Sequence, residues 1–469
     1  MTDAEHPRVL LLNPPSALVQ VRDFYCSVTA KAGYYWAPID LLVISGRLPA
    51  GAVTVLDAVA DRLSPGRALE EAAAAAPRVV ISLTSSASMP EDMPFLEELK
   101  RRTGCAVAVC GNVCLDPLPW LLETYPWLDA LITDFTSPGI AGYAAARGKA
   151  ERPIPGMICR KNGGFLDGRA EPSTGGGLSY PVPRHELFPL RAYRLPYALN
   201  RPIATVMTSY GCPFDCGFCI QGRGVIGYRS RSLPEVVEEL ARLRSLGARE
   251  LYFRDPLFGS DRALAEGMCL EMKRGFSFSW SCDSRVDVID EGLIKMMKEA
   301  GCSLIAFGME TANKSALLRQ KKTLGEESLR AAPRLCRKHG VKTAGYFILG
   351  LPGEDLESSL ETIKFALDSG VDFASFSIAS PDFGTRLRME AIKNGDINPG
   401  EFREFDRNCV SRSLCDGLDA AGLEILRKKA LRDFYARPSY ILRTLAGMRS
   451  LNQLKEGVRS ALALARNCL

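Results

Sequence analysis

Histidine is nearly missing from this chain. Its 469 residues hold three, His6, His185 and His339. That scarcity weighs against metal sites and general-base machinery built on imidazole. No stretch reaches the roughly 18–20 apolar residues a membrane-spanning helix requires. The start, "MTDAEHPRVLLLNPPS", is acidic and its apolar run is short, so no secretory leader is expected and a cytoplasmic protein is. A net charge of +5 is small for this length and does not point to nucleic acid. No G-x-G-x-x-G follows the first apolar run, which removes the usual sign of a dinucleotide site.

What is present is typical of a globular protein: 46% hydrophobic and 24% charged residues, enough for two or three domains. Over residues 1–150, apolar runs alternate with helical stretches: "RVLLLNP" (8–14), "VTVLDA" (53–58), "RVVISLTSS" (78–86), "AVAVCGN" (106–112) and "LDALITD" (128–134). Continuous apolar strands separated by helices predict a doubly wound, Rossmann-like parallel sheet. Its ligands are expected at the carboxyl edge, where Asn13, Asp57, Ser82 to Ser86, Gly111, Asn112 and Thr133 fall. Residues 151–200 are Gly- and Pro-rich and read as a linker, with a short hairpin near "MICRKNGGFLDG".

Alternation resumes over 201–400 with six runs: 203–209, 250–255, 277–285, 304–310, 342–350 and 373–380. The intervening helices mostly end in Gly. Six units predict a partial (β/α)6 barrel. Residues 401–469 read as a helical region. Beyond residue 420 they carry ten basic and three acidic residues. This is either a solvated face or a peripheral contact with a membrane.

Fifteen cysteines in a chain expected to be cytoplasmic are reduced thiols or metal ligands, not a disulfide framework. Three crowd one loop after the first barrel strand, "TSYGCPFDCGFCIQG": Cys212, Cys216 and Cys219. Three thiolates can cap three irons of a cubane [4Fe–4S] cluster and leave one iron open. A zinc site with a distant fourth ligand stays open as an alternative. Cys110 and Cys114 in "VCGNVC" copy half of that spacing without a third partner, and read as buried or loop thiols.

"CPFDCGFC", with Phe218 before the last cysteine, resembles the signature of the radical S-adenosylmethionine (SAM) enzymes. The resemblance implies that SAM chelates the open iron and lies across the strand ends. It makes Phe218, Asp255, Arg285, Glu310, Gly350 and Pro352 candidate SAM contacts. Relatives often carry an acid where this chain has Arg254. The implied chemistry is reductive cleavage of SAM to a 5′-deoxyadenosyl radical, one electron coming from a donor such as flavodoxin or ferredoxin.

The N-terminal runs resemble the cobalamin-binding branch of that family, above all its hopanoid-pathway and anaerobic magnesium-protoporphyrin cyclase members. The segments carrying the likeness are "LLLNPPS", "GYYWAPIDLLVISGRL" and "DFYARPSYILRTL". The resemblance implies cobalamin near Asn13, Pro14, Trp36, Ser82, Thr84 and Gly111. It also implies a small-molecule substrate of lipid, tetrapyrrole or natural-product type, either methylated or rearranged. No Asp-x-His-x-x-Gly loop supplies a histidine to cobalt. Two other readings are a radical SAM enzyme with a degenerate first domain and a non-enzymatic zinc-binding regulator.

Overall fold

The computed structural model describes residues 8–446 except 32, 117–118, 170, 402–404, 407–408 and 411–412, together with 457–459, 461–462 and 465. His6 and the basic residues Arg449, Lys455 and Arg466 lie outside the described residues.

The first sheet holds β1 (Val9–Asn13), β4 (Val53–Asp57), β5 (Val79–Leu83), β6 (Ala106–Cys110) and β7 (Ala130–Ile132), all parallel, with the antiparallel pair β8 (Met157–Lys161) and β9 (Gly164–Asp167) at one edge. Spatially the order is β4-β1-β5-β6-β7-β8-β9. Counting the parallel strands alone, this is the 2-1-3-4-5 order of flavodoxin-like sheets, whose crevice opens at the carboxyl ends of β1 and β5. Both faces are covered, which is why the runs are continuously apolar. Val9 and Leu11 belong to one core, and Leu10 and Leu12 to another on the opposite face.

Between β1 and the helix Ile39–Arg47 lies an insertion that no apolar run announces. It is an antiparallel hairpin of β2 (Gln20–Asp23) and β3 (Cys26–Thr29). The segment expected to be a linker is largely structured. Its hairpin, β8–β9, extends the first sheet. β10 (Thr174–Leu178) pairs with β13 (Tyr228–Arg231), which in turn pairs with β12 (Ser209–Gly211). Tyr180, Phe188 and Tyr193 are buried. Three consecutive glycines in β10 contribute backbone hydrogen bonds and no side chains, so the strand leaves no periodic signal.

The six expected runs form one parallel sheet, in sequence order: β11 (Ile203–Val206), β14 (Glu250–Phe253), β15 (Ser279–Ser284), β16 (Cys302–Glu310), β17 (Lys342–Leu349) and β18 (Phe373–Ile378). Helices between them are closed by local chemistry. Ser232 and Glu235 form a capping box on Leu233–Ser245, and Asp355 caps Leu356–Asp368. Past residue 400 a two-strand pairing precedes the helices α1 (Ala420–Tyr435) and α2 (Pro438–Ala446). α1 lies along β18, where the Tyr435 hydroxyl donates to Ala374 O and accepts from Ala374 N. The main apolar core runs unbroken from the first sheet through the second to α1. Among the described residues no helix is long and apolar enough to cross a membrane.

Candidate functional site

The cysteine loop leaves β12 at the carboxyl edge of the second sheet. Its entry is held by Asp255 at the end of β14. One carboxylate oxygen accepts from the amides of Thr208 (2.6 Å) and Ser209 (2.8 Å), and the other from the Thr208 hydroxyl (2.6 Å). Asp255 is fully buried, and burial raises its pKa to about 6. Two later loops then hold the cysteine loop from the other side. Gly217 donates to Gln320 O (2.8 Å) and accepts from Leu387 N (2.9 Å). A Cβ on Gly217 would stand 2.4 Å from the Arg386 guanidinium. Phe218 packs on Ala316, Ile348, Leu351 and Ala379.

The thiols of Cys212, Cys216 and Cys219 are half-buried, and the Gln221 amide donates to Cys219 Sγ at 3.4 Å. Burial pushes Cys212 up to about 11 and also raises Cys216, whose thiol is pulled back by the cations of Lys322 and Arg285. Arg285 Nη1 is 3.9 Å from Cys216 Sγ, its guanidinium lies 3.8 Å over the Phe214 ring, and Asp287 pairs with it at 2.8 Å. Among the described residues, no three His, Cys, Asp or Glu side chains converge on a point that would hold a single metal ion. A cubane differs, because each thiolate caps its own iron and the sulfurs stand apart. The donor set is sulfur only, with cations beside it that favour thiolates, and it fits an iron–sulfur cluster.

Glu310 reaches the same mouth by an unusual backbone. A register shift between Gly308 and Glu310 interrupts β16, and Glu310 takes φ +57°, a left-handed conformation uncommon outside glycine. Its carboxylate pairs with Lys322 at 2.6 Å, both nearly buried. Gly308 has no side chain where that pair lies, since a Cβ there would be 2.4 Å from Glu310 Oε1. At the end of β17, Gly350 (φ +80°) and Leu351 donate to Glu354, folding "LGLPGE" back on itself, with Pro352 at its half-buried turn.

Sequence reasoning missed a network inside the barrel. Asp283 accepts from the hydroxyls of Tyr252 (2.9 Å) and Tyr346 (3.1 Å) and stands 3.7 Å from Arg254. Arg254 also pairs with Asp23 at the end of β2 at 2.9 Å, and Trp36 donates to the same carboxylate at 2.9 Å. The Lys31 ammonium, after β3, donates to Ser375 Oγ on β18 (3.2 Å) and to Phe376 O. The period-two polar positions of "ELYFRD" and "SWSCDS" mark inward-facing residues of a strand and were the signal available.

At the carboxyl edge of the first sheet, Asn13 donates to Asp57 (2.8 Å), while Asn13 Oδ1 and Pro14 O accept from Arg22. Ser82 and Thr84 are buried in the same edge. Gly111, at φ +149°, lies so close to Thr84 that a Cβ would meet its carbonyl at 1.8 Å. The β2–β3 hairpin covers this edge, with Arg22 ion-paired to Asp92 at 2.7 Å and Ser27 bonded to Ser86 at 3.1 Å. Its turn faces the barrel, where Gln221 donates to Tyr25 O (3.3 Å). The hairpin therefore lies between the carboxyl edges of both sheets. His185 is bonded to Glu239 and His339 to Glu291, both away from the first sheet's edge. Cys110 and Cys114 are buried, with thiols raised by burial.

Comparison with known proteins places these features. Residues 206–366 match the family model described as the radical SAM superfamily. A Pyrococcus horikoshii protein named an uncharacterized methyltransferase is 32% identical over 305 residues, 64% of this chain and 66% of that protein. The anaerobic magnesium-protoporphyrin IX monomethyl ester cyclase of Rubrivivax gelatinosus is 25% identical over 405 residues, 80% of this chain and 68% of the cyclase. Hopanoid C-2 methylase of Rhodopseudomonas palustris is 24% identical over 205 residues, 41% and 38% of the two chains. The chain thus spans only part of the length of these curated relatives. Among solved structures, the radical SAM methyltransferase TsrM of Kitasatospora setae, with tryptophan and a SAM analogue bound, superposes with TM-score 0.66 at 20% identity over 83% of this chain and 76% of TsrM. The cobalamin-dependent enzyme OxsB, with aqua-cobalamin and SAM bound, gives 0.70 at 14% identity over 98% and 72%. At such identities the likeness is one of fold alone, a doubly wound parallel sheet joined to a (β/α)6 sheet.

Proposed function

The chain carries a radical SAM domain over residues 206–366, and from that premise we propose that it is a cobalamin-dependent radical SAM enzyme acting on an unactivated carbon of a small molecule or lipid. The observation that carries the reading is the cysteine loop. It is a sulfur-only donor set beside two cations, fastened to loops after β14, β16 and β18, at the carboxyl edge of a (β/α)6 sheet.

In this reading Cys212, Cys216 and Cys219 hold a [4Fe–4S] cluster. Bound there, such a cluster would supply the one-electron chemistry for reductive cleavage of SAM to a 5′-deoxyadenosyl radical, with a flavodoxin- or ferredoxin-like protein as the electron donor. Asp255 positions the loop and Arg285 holds positive charge beside Cys216. Glu310, Phe218, Gly350 and Pro352 line the approach for SAM. Asn13, Pro14, Trp36, Ser82, Thr84 and Gly111 would hold cobalamin. The β2–β3 hairpin lies over that same edge, which it meets through Arg22 and Ser27.

The reaction is a methylation or a rearrangement of cyclase type. The substrate is a lipid, tetrapyrrole or natural-product scaffold, and residues 1–150, 151–200, 201–400 and 401–469 serve as cofactor domain, connection, radical core and C-terminal region.

Anaerobically purified protein is expected to contain about four irons and four sulfides per chain and to release 5′-deoxyadenosine from SAM under reduction. Alanine at any one of the three cysteines is expected to abolish that release. One zinc without sulfide would overturn the reading in favour of a zinc-binding regulator. Failure of added cobalamin to bind would leave a radical SAM enzyme with a degenerate first domain. Once substrate is present, S-adenosylhomocysteine marks methylation, and its absence marks rearrangement.

A further inference from the structure

α2 carries its apolar residues on the wrong side for a helix of a globular core. Its body-facing side is held by polar and aromatic contacts. Tyr440 packs on Phe434 and Tyr435 at 5.6 and 5.1 Å between ring centres, and Arg437, just before the helix, donates to Leu367 O at 2.9 Å. Ile441 and Leu445 lie one turn apart with Leu442 beside them, and these three point outward, 46%, 52% and 68% exposed. No residue of α2 is buried. Farther on, Val458 and Leu462 have the same spacing and are also exposed.

A short helix gains little from propensity and is ordinarily stabilised by burying its apolar face. Here the charge says what that face meets. From Arg437 to the end the sequence holds six basic residues and one acidic residue, Glu456. Two copies of so basic a segment repel each other, and a nucleic-acid partner would have no use for the leucines. An anionic lipid surface takes both, apolar side chains entering the acyl boundary while cations meet the headgroups. The placement suits this as well. Tyr435 at the far end of α1 bonds Ala374 near the start of β18, and Leu423 near its beginning touches Gly350 at the end of β17. α2 therefore sits at the amino-terminal rim of the barrel, and the rim holding the cysteine loop stays clear.

We propose that α2 is an interfacial anchor that seats the protein on an anionic membrane through Ile441, Leu442 and Leu445, with Arg443 on the same helix meeting the headgroups. This goes beyond the proposed chemistry and does not depend on it.

The test is co-sedimentation of the full chain with vesicles of phosphatidylcholine alone and of phosphatidylcholine with phosphatidylglycerol. The wild type is expected to partition about tenfold or more better onto the anionic vesicles, and to lose most of that advantage when raised salt screens the headgroups. Both L442D/L445D and R443E are expected to weaken the partition by about tenfold. These side chains are exposed, so circular dichroism should be unchanged. Equal pelleting on neutral and anionic vesicles would overturn the proposal. So would full binding by L442D/L445D, a concentration-dependent dimer that the same pair abolishes without vesicle binding, or binding to an RNA duplex in place of vesicles that the pair leaves intact. None of these readouts requires cluster, SAM or cobalamin, so failure here leaves the catalytic reading standing.

Discussion

Both oxygens of Asp255 already have donors, two amides and a hydroxyl from the residues that lead into the cysteine loop. Truncating it to Ala leaves two buried amides without acceptors, at about 1–3 kcal/mol each. Asn can keep its Oδ1 on the amides and turn its Nδ2 to the Thr208 hydroxyl. D255A is therefore expected to lose about 2–4 kcal/mol in urea unfolding and most of its iron on reconstitution. D255N should lose about 1 kcal/mol or less and keep its iron. If D255A loads iron as the wild type does, Asp255 does not brace the loop. The Glu310–Lys322 pair gives a second residue-scale test. A methyl group at Gly308 would overlap both partners, at 2.4 and 2.9 Å, so G308A is expected to destabilise by about 1–3 kcal/mol. Removing Glu310 alone leaves Lys322 as an uncompensated buried cation, expected at about 3–5 kcal/mol. Unfolding of E310A/K322M should recover much of that loss.

At the scale of elements, the β2–β3 hairpin is the piece that touches everything. Its Arg22 is held by Asp92 of the first domain and its Asp23 by Arg254 of the barrel. Besides Phe24 and Tyr25 of its turn, which are buried in the main core, and a small cluster of Val21, Val28 and Ala30, the hairpin is tied down by these two buried ion pairs. Arg254→Met should therefore loosen it selectively. Amide hydrogen exchange over residues 20–29 is expected to rise while β14 to β17 stay protected. In a double-mutant cycle D23N/R254M should show a coupling of about 0.5–3 kcal/mol, and additive effects would mean that the pair does not hold the hairpin. The same element shows why parts of the fold were illegible. The parallel strands could be read because each is buried on both faces and so is continuously apolar. "QVRD" and "CSVT" are four-residue strands, and the two charges of the first are buried only because partners 70 and 231 residues away neutralise them. The cysteine motif was legible for the opposite reason, its spacing being local. Its supports at Gln320, Lys322 and Leu387 exist only through topology. The strand-end acids and arginine were recognised by position, but position did not reveal that Asp255 is consumed in holding the loop.

Across the whole molecule, burial has left several carboxylic acids reluctant to ionise, and they lie in both domains. Asp40 rises to about 8, through burial first and the nearby Asp23 second; Asp57 reaches about 6 and Glu250 about 7, again mainly by burial. Asp255 adds a fourth at about 6. An acid with a raised native pKa keeps its proton over a range where the unfolded chain has lost its own. Folding then binds protons, and stability falls as pH rises through that range. For Asp40 the range runs from its ordinary 3.8 up to about 8, and for Glu250 from 4.5 to about 7. The unfolding midpoint is thus expected to fall between pH 6 and pH 8, the reverse of what paired surface carboxylates produce at lower pH. Asp40 accepts its neighbour Leu41's amide at 3.1 Å and faces the Cys110 thiol at 3.8 Å, and no cation is among the causes of its shift. Asn has the same shape and no charge to suppress. D40N should therefore flatten the fall between pH 6 and 8 and exceed the wild-type midpoint by a margin that grows with pH from about pH 4 upward, as followed by anaerobic thermal unfolding. A parallel downward offset of D40N at every pH would mean that the residue serves packing alone, and that the pH dependence arises elsewhere.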